Sequence, residues 1–439
     1  MHADLLIHAE WILTVDPEDC ELIDHAVAIA DGHIQAILPY DEARRTIAAT
    51  EVIELPGHVL IPGLINAHTH AAMTLLRGLA DDLPLMTWLH DHIWPTEQRW
   101  VDPTFVAAGT RLAILEMLRG GVTCYNDMYF YPEVAAQVSA EAGMRAVIGM
   151  IVVDFPTRYA AAADDYIAKG LALHDFYRDH PLIRLAWAPH APYSVADDPL
   201  SQIARLAQDL KVPVHLHLHE TQDEVQTALR ERSERPFARI ERLGLMGPQL
   251  TAVHMTQLED FEIAHLAETG ASVIHCPESN LKLASGFCPV AKLLEAGVNV
   301  ALGTDGAASN NDLNLLGEMR TAALLGKGVA GSAAAVSARE VLRMATINGA
   351  RALGLEREIG SLEVGKSADL VAVDLRDPHT QPVYHPLSQL IYAAGRHQVR
   401  QVWVRGRQLI RDGHPTSLHL AEILAEAQIW GRRIAAGGR

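Results

Sequence analysis

Two hydrophobic textures alternate along the chain. Near both ends, apolar and polar residues alternate in short runs cut by turn formers. These runs are LLIHAEWILTV (5–15), HAVAIADGHIQAIL (25–38) and EVIELPGHVLIPG (51–63), then GSLEVGKSADLVAVDL (360–375) and VRQVWVRGRQLIRDG (399–413). Period two predicts half-buried strands, and pairs such as Asp31-Gly32 predict the turns between them. The middle of the chain reads differently. Eight short apolar runs recur there: GLINAHTH, GVTCYNDM, RAVIGMIVV, IRLAWAPHA, VPVHLHLHE, LTAVHMT, ASVIHCPES and VNVALGTDG. Stretches of helical period separate them, for example 102–121 and 201–211. Eight strand–helix units predict an α/β fold, a (β/α)8 TIM barrel of parallel strands. The flanking strands then form one small β-sandwich assembled from both chain ends. The expected division is 1–58 for the first part of the sandwich, 59–358 for the barrel, and 359–439 for the sandwich return and a last helix, LAEILAEAQIWGRRIAA, packed on the outside.

Polar residues collect where the eight runs end. His68 and His70 close the first, His190 the fourth, the HLHLHE group the fifth, His254 the sixth, His275 the seventh and Asp305 the eighth. Barrel enzymes build their sites at the C-terminal ends of the strands, so these groups are expected at one mouth. His68 and His70 form an H-x-H pair, and period two puts both rings on one side of a strand, where they can share a metal ion. A polar strand end is the plainer reading of that pair taken alone. Of His215, His217 and His219, two are read as hydrogen-bonded within the barrel. Spacing favours His217 as the working ring only modestly: if the strand ends near it and the chain turns, Glu220 can reach over the same point. Asp305, before a glycine, is either a turn former or an acidic fourth ligand. Three nitrogens and one oxygen suit Zn²⁺, with Fe²⁺ or Mn²⁺ as alternatives.

Composition narrows the class. The 439 residues are 49% hydrophobic and carry a net charge of −18. That balance does not favour nucleic acid or anionic membranes as partners. The first residues, MHADLLIHAE, lack the pattern of a signal peptide, and the apolar runs are too short and too interrupted for a membrane helix. Cys20, Cys124, Cys276 and Cys288 form no C-x-x-C pair and are read as reduced thiols of a cytoplasmic protein. The same absence excludes the H-x-E, P-C-x-x-C type of zinc deaminase. A zincin is excluded because Gln222 and Asp223 stand where H-E-x-x-H needs its second histidine.

The segments PGLINAHTHAAMTLLRG, APHAPYS, HLHLHET, HCPESNLKL and LGTDGAASNNDLNLLGEMR together resemble the amidohydrolase superfamily. Within it they are most similar to the chlorohydrolase and nucleoside-deaminase branch, in particular to deaminases of 5′-methylthioadenosine and S-adenosylhomocysteine. The resemblance spans essentially the whole chain. It implies that His68, His70, His217 and Asp305 bind one zinc ion per subunit. It makes Glu220 the proton shuttle, Asp305 the base for the attacking water, and His254 a group that contacts this water. Glu97, in HDHIWPTEQRW, falls where the branch holds the ribose hydroxyls, and His190 matches a histidine that contacts substrate. Glu220 and Asp305 also face the substrate. The implied partner is a small-molecule purine nucleoside, deaminated to an inosine-type product, and the enzyme is expected to be a homo-oligomer, dimer or tetramer. Members that accept S-adenosylhomocysteine are expected to set arginines against its carboxylate, and Arg158 is the only nearby candidate. A methylthio tail needs only an apolar pocket, for which Met73, Leu76, Leu85, Met86 and Trp88 are available. The alternative reading is another ring: guanine, 8-oxoguanine, a pterin or a triazine. Glu97 argues for a ribose, because those rings offer no vicinal diol.

Overall fold

A computed structural model describes residues 1–437, so the last two residues of the 359–439 segment lie outside the described residues. Four strands open the chain: β1 (His2–Leu13), β2 (Glu21–Ala30), β3 (His33–Pro39) and β4 (Ala48–Pro62). The next eight are the predicted apolar runs: β5 (Leu64–Thr69), β6 (Val122–Asp127), β7 (Arg145–Val152), β8 (Ile183–Pro189), β9 (Val214–Leu218), β10 (Leu250–His254), β11 (Ser272–His275) and β12 (Val300–Leu302). They pair in sequence order, all parallel, into one eight-stranded sheet. Every residue of β5, β6 and β7 is buried, as expected of parallel strands covered by helices on one face and a barrel interior on the other. The protein therefore contains a (β/α)8 barrel.

The connecting helices follow local chemistry. Asp102 caps the helix Pro103–Arg119 by accepting from the backbone N–H groups of Thr104 and Phe105, and Gly120 ends it. The helix expected over 201–211 begins earlier, at Asp197, because Pro199 falls in its first turn, where a missing N–H costs nothing. The last helix, Leu420–Gly437, lies against the helix Pro103–Arg119: Trp430 packs edge-on to Phe105, and Glu426 pairs with Arg111 at 2.9 Å.

The remaining strands are β13 (Leu370–Asp374), β14 (Val399–Val404), β15 (Arg407–Arg411) and β16 (His414–Pro415). They join β1–β4 in a single sheet of order β16-β15-β14-β13-β4-β1-β2-β3. The expected sandwich is thus one sheet rolled on itself. The Gly32 turn after β2 packs against the Arg405-Gly406 turn after β14, and Ala368 bridges them: its N–H donates to the Gly32 carbonyl at 2.9 Å and its carbonyl accepts from the Gly406 N–H at 2.9 Å. The roll encloses a core that includes Ile29, Leu60, Leu370 and Trp403. Arg145, at the start of β7, pins the barrel to this sheet through a buried pair with Asp369 at 2.9 Å.

The barrel closes between β12 and β5. The Thr304 N–H donates to Asn66 Oδ1 at 3.0 Å, and the Asp305 N–H donates to the His68 carbonyl at 3.0 Å. Gly303 lies against His68 so closely that a Cβ there would sit 2.8 Å from the His68 Cβ. We expect Gly303→Ala to destabilise the protein by about 1–3 kcal/mol through overpacking of this seam. The urea midpoint measures it, and an unchanged midpoint would contradict the tight closure.

Candidate active site

Strand geometry brings the predicted groups to one point. His68 lies at the end of β5 and His70 one residue past it, both on one side by the period of two. His217 lies near the end of β9, and Asp305 three residues beyond β12. One ligand atom from each of these four residues lies within 4.8 Å of the others. Asp305 Oδ1 is 3.3 Å from His68 Nε2 and 3.2 Å from His70 Nε2, while His68 Nε2 and His217 Nε2 are 3.2 Å apart.

The outward hydrogen bonds decide what the inward nitrogens carry. His70 Nδ1 faces the Met128 carbonyl at 2.6 Å, and His217 Nδ1 faces the His190 carbonyl at 2.8 Å. A carbonyl only accepts, so each Nδ1 carries a proton and each ring turns its Nε2 inward. Burial opposes charge on His70, but the Asp305 carboxylate beside it raises it to about 9, so its Nε2 holds a second proton unless a cation takes that place. His68 Nδ1 is 2.8 Å from His215 Nε2, which gives His215 the supporting place expected of it. His219 also points away from the centre, accepting from the Phe237 N–H at 3.1 Å. Burial pushes His217 well below its ordinary pKa, with His68 and His190 adding to the effect. Burial likewise takes His68 down to about 4. Neutral imidazoles with nitrogens facing one another at 3.2 Å repel unless a cation or proton sits between them. With the Asp305 carboxylate beside them, three nitrogens and one oxygen suit a single divalent ion such as zinc.

Asp305 is held from behind. Its Oδ2 accepts from Ser279 Oγ at 2.6 Å and Ser309 Oγ at 2.8 Å, and its Oδ1 accepts from the Gly306 N–H at 2.7 Å. Burial opposes its charge, but the hydrogen bonds to His68 and His70 hold its carboxyl well below the usual range. Beside it, His254 Nε2 is 3.7 Å from Glu220 Oε1, and His254 Nδ1 is 2.8 Å from Asn280 Oδ1. Burial raises the Glu220 carboxyl, and the neighbouring His254 pulls it the other way.

These groups form the floor and wall of a cavity of about 400 Å³, a volume that suits a small-molecule ligand. His70, His190, His217, Glu220, His254 and Asp305 line it; His68 lies beneath, fully buried. Trp88 and Glu97 line the wall. Of the other apolar residues suggested by the sequence, Met73 and Leu85 line the cavity, whereas Leu76 and Met86 pack elsewhere. Arg158 reaches the rim, where its guanidinium donates to the Arg99 carbonyl at 3.1 Å.

Several site residues escaped sequence reasoning. Tyr129 donates its hydroxyl to Glu97 Oε1 at 2.7 Å, and nothing in the spacing pairs a residue after β6 with one 32 positions earlier. Burial pushes Glu97 up to about 7, with the Tyr129 hydrogen bond and His70 working against the rise. Ser279 and Asn280 stood in view, in HCPESNLKL, and their position just past the tip of the seventh strand was the available signal.

Comparison with known proteins agrees with this geometry. Residues 59–409 match the amidohydrolase family. A 5-methylthioadenosine/S-adenosylhomocysteine deaminase of Teredinibacter turnerae is 51% identical over 433 residues, covering 99% of this chain and 98% of its own. The crystal structure of an adenosine deaminase from Xanthomonas campestris with bound zinc superposes with a TM-score of 0.98 at 53% identity, covering 99% of both chains. A mutant atrazine chlorohydrolase of Arthrobacter aurescens, complexed with zinc and atraton, superposes with a TM-score of 0.91 at 25% identity, covering 97% of this chain and all of its own.

If facing lone pairs define a cation centre, zinc added to metal-stripped protein will raise its unfolding temperature. At free zinc 100-fold above the Kd, the gain is about 2.7 kcal/mol. The rise should vanish in a His70→Ala/His217→Ala double variant. A wild-type unfolding temperature indifferent to zinc would contradict the reading.

Proposed function

The chain belongs to the amidohydrolase family, and from that premise we propose that it removes the 6-amino group of a purine nucleoside by hydrolysis. The substrates are 5′-methylthioadenosine, adenosine or S-adenosylhomocysteine, and the products are the inosine-type nucleoside and ammonia. The observation that carries this reading is the set of carboxylates around one cavity: Asp305 at the lone-pair cluster, Glu220 beside His254, and Glu97 across from them on the wall.

In this proposal His68, His70, His217 and Asp305 hold one zinc ion per subunit, with Fe²⁺ or Mn²⁺ as alternatives. A zinc ion there supplies the Lewis acidity that makes water nucleophilic near pH ~7. Asp305 accepts a proton from the attacking water. Its serine contacts, at 2.6 and 2.8 Å, fix the carboxylate so that Oδ1 stays turned to the centre. Glu220 enters protonated, as its burial favours, and gives its proton to the ring nitrogen next to the amino-bearing carbon. His254 steadies the oxygen that adds to that carbon. The tetrahedral adduct then collapses. Ammonia leaves with a proton relayed by the two carboxylates, which return to their starting states. The net change is water in and ammonia out.

Glu97 accepts from the ribose hydroxyls, and His190 and Trp88 contact the nucleoside. The Tyr129 hydroxyl occupies one Glu97 oxygen and leaves the other for the diol. The 5′ tail runs toward Trp94 and Phe155 on the cavity wall, apolar company that suits a methylthio group better than a charged one. Four unpaired cysteines suit a reducing compartment, and a cytoplasmic homo-oligomer, dimer or tetramer, completes the proposal.

Ammonia release from a panel of 5′-methylthioadenosine, S-adenosylhomocysteine, adenosine, guanine, 8-oxoguanine and a chlorotriazine tests the substrate class. We expect turnover of the nucleosides, and turnover of a free base or triazine alone would overturn it. Glu220→Gln should keep its metal and lose turnover by a factor of about 10²–10⁴, the usual worth of a general acid; near-normal turnover would remove its role. Glu97→Ala should raise KM for nucleosides far more than for a free base, and equal effects would exclude ribose binding.

A further inference from the structure

Glu220 stands off the strand rhythm that places His215, His217 and His219, and the chain must turn to aim it at the cavity. The turn is at His219, whose φ of +51° is left-handed, a conformation that a non-glycine residue adopts only when its surroundings hold it there. All four backbone polar groups of His219 and Glu220 are accounted for. The Thr256 N–H donates to the His219 carbonyl at 3.0 Å, and Thr256 Oγ1 donates to the Glu220 carbonyl at 2.7 Å. Both N–H groups go to one side chain. Glu224 Oε1 accepts from the His219 N–H at 3.2 Å, and Glu224 Oε2 accepts from the Glu220 N–H at 2.7 Å.

This use of Glu224 departs from its local role. Thr221-Gln-Asp-Glu224 reads as a capping box for the helix Gln222–Arg232, and Thr221 does accept from the Glu224 N–H at 3.2 Å. A capping box would return the carboxylate to the N–H of Thr221. Here it passes that group and grips the two N–H groups before it. The helix start is thereby tied to the residue that handles the proton.

We infer that Glu224 is a positioning residue: its carboxylate locks the left-handed turn that throws Glu220 out of strand register and over the cavity floor. The inference rests on the proton-shuttle reading of Glu220. Burial pushes Glu224 up to about 8, but an N–H on each of its oxygens favours the ionised form. The carboxylate has an acceptor for each N–H, whereas the isosteric amide of Gln sets a donor against one of them. Glu224→Gln therefore leaves the barrel and the centre in place and loosens only the aim of Glu220. Misplacement of a catalytic group by about 1 Å costs on the order of 10²-fold in rate.

The test compares Glu224→Gln, Glu224→Asp, Thr221→Ala and Glu220→Gln with the wild type, all zinc-loaded, on 5′-methylthioadenosine. Glu224→Gln is expected to lower kcat by about 100-fold with KM within about twofold and metal content unchanged, and to speed backbone hydrogen exchange over 217–221. Glu224→Asp, which keeps two acceptors on a shorter stem, should recover part of the rate. Thr221→Ala removes the helix cap alone, so it should lower the unfolding temperature and keep kcat within about threefold. If Glu220→Gln is inactive while Glu224→Gln keeps wild-type kcat, or if Thr221→Ala loses as much rate as Glu224→Gln, the positioning role is wrong. If Glu220→Gln itself keeps turnover, the shuttle reading fails first.

Discussion

Everything at the barrel mouth depends on one electrostatic constraint: electron-rich atoms are forced together. Two imidazole nitrogens face each other at 3.2 Å, with a carboxylate oxygen 3.3 Å from one of them. Protons or a cation must sit among these atoms, and for two of the rings the backbone fixes which nitrogen faces inward. The carbonyls of Met128 and His190 hold the protons of His70 and His217 on the far nitrogens. His215 Nε2 lies 2.8 Å from His68 Nδ1 and steadies that ring from behind. Such a cluster is stable when a cation occupies it, so the fold and the chemistry share one requirement. The barrel supplies the force that holds the cluster together, through the seam where Asn66, Gly303 and Asp305 join β12 to β5.

A second constraint shapes the ring around that centre. A strand delivers side chains to one face every second residue, which suits His68 and His70 and cannot by itself deliver Glu220. The structure breaks the rhythm with left-handed residues at the strand ends: His219, His254, Met255 and Asp305 all have positive φ. His254 and Asp305 thereby bring their polar side chains to the cavity, the turn at His219 does the same for Glu220, and Met255 packs in the core. Non-glycine residues in that conformation cost of order 1–3 kcal/mol each, and their clustering at the mouth is where functional groups are expected to take precedence over local comfort.

Much of this was legible in the sequence because period two and the eight apolar runs carry it. The H-x-H pair, the choice of His217 with Glu220 three residues on, and Asp305 at the eighth strand end all follow from strand geometry or from the motifs that surround them. The structure brings these residues together, with Glu97, His190 and Trp88 on the same cavity wall. What could not be read lies in long-range contacts and backbone angles. Tyr129, past the end of β6, reaches Glu97 in the short helix Trp94–Trp100. The φ of His219 is set by Glu224 and Thr256, not by its own residue type. The flanking strands read as a sandwich, and only pairing showed that β4, bonded to β1 on one side and β13 on the other, makes them one rolled sheet.

The central claim is that the four converging groups hold one metal ion and that hydrolysis of a purine nucleoside depends on it. The most direct measurement is a zinc titration of metal-stripped protein, followed by ammonia release from 5′-methylthioadenosine. The account predicts no release without metal and a linear rise that breaks at about one zinc per chain, the capacity of a single four-ligand centre. Full turnover by stripped protein, or a fully zinc-loaded protein that releases no ammonia from any purine nucleoside, would contradict it.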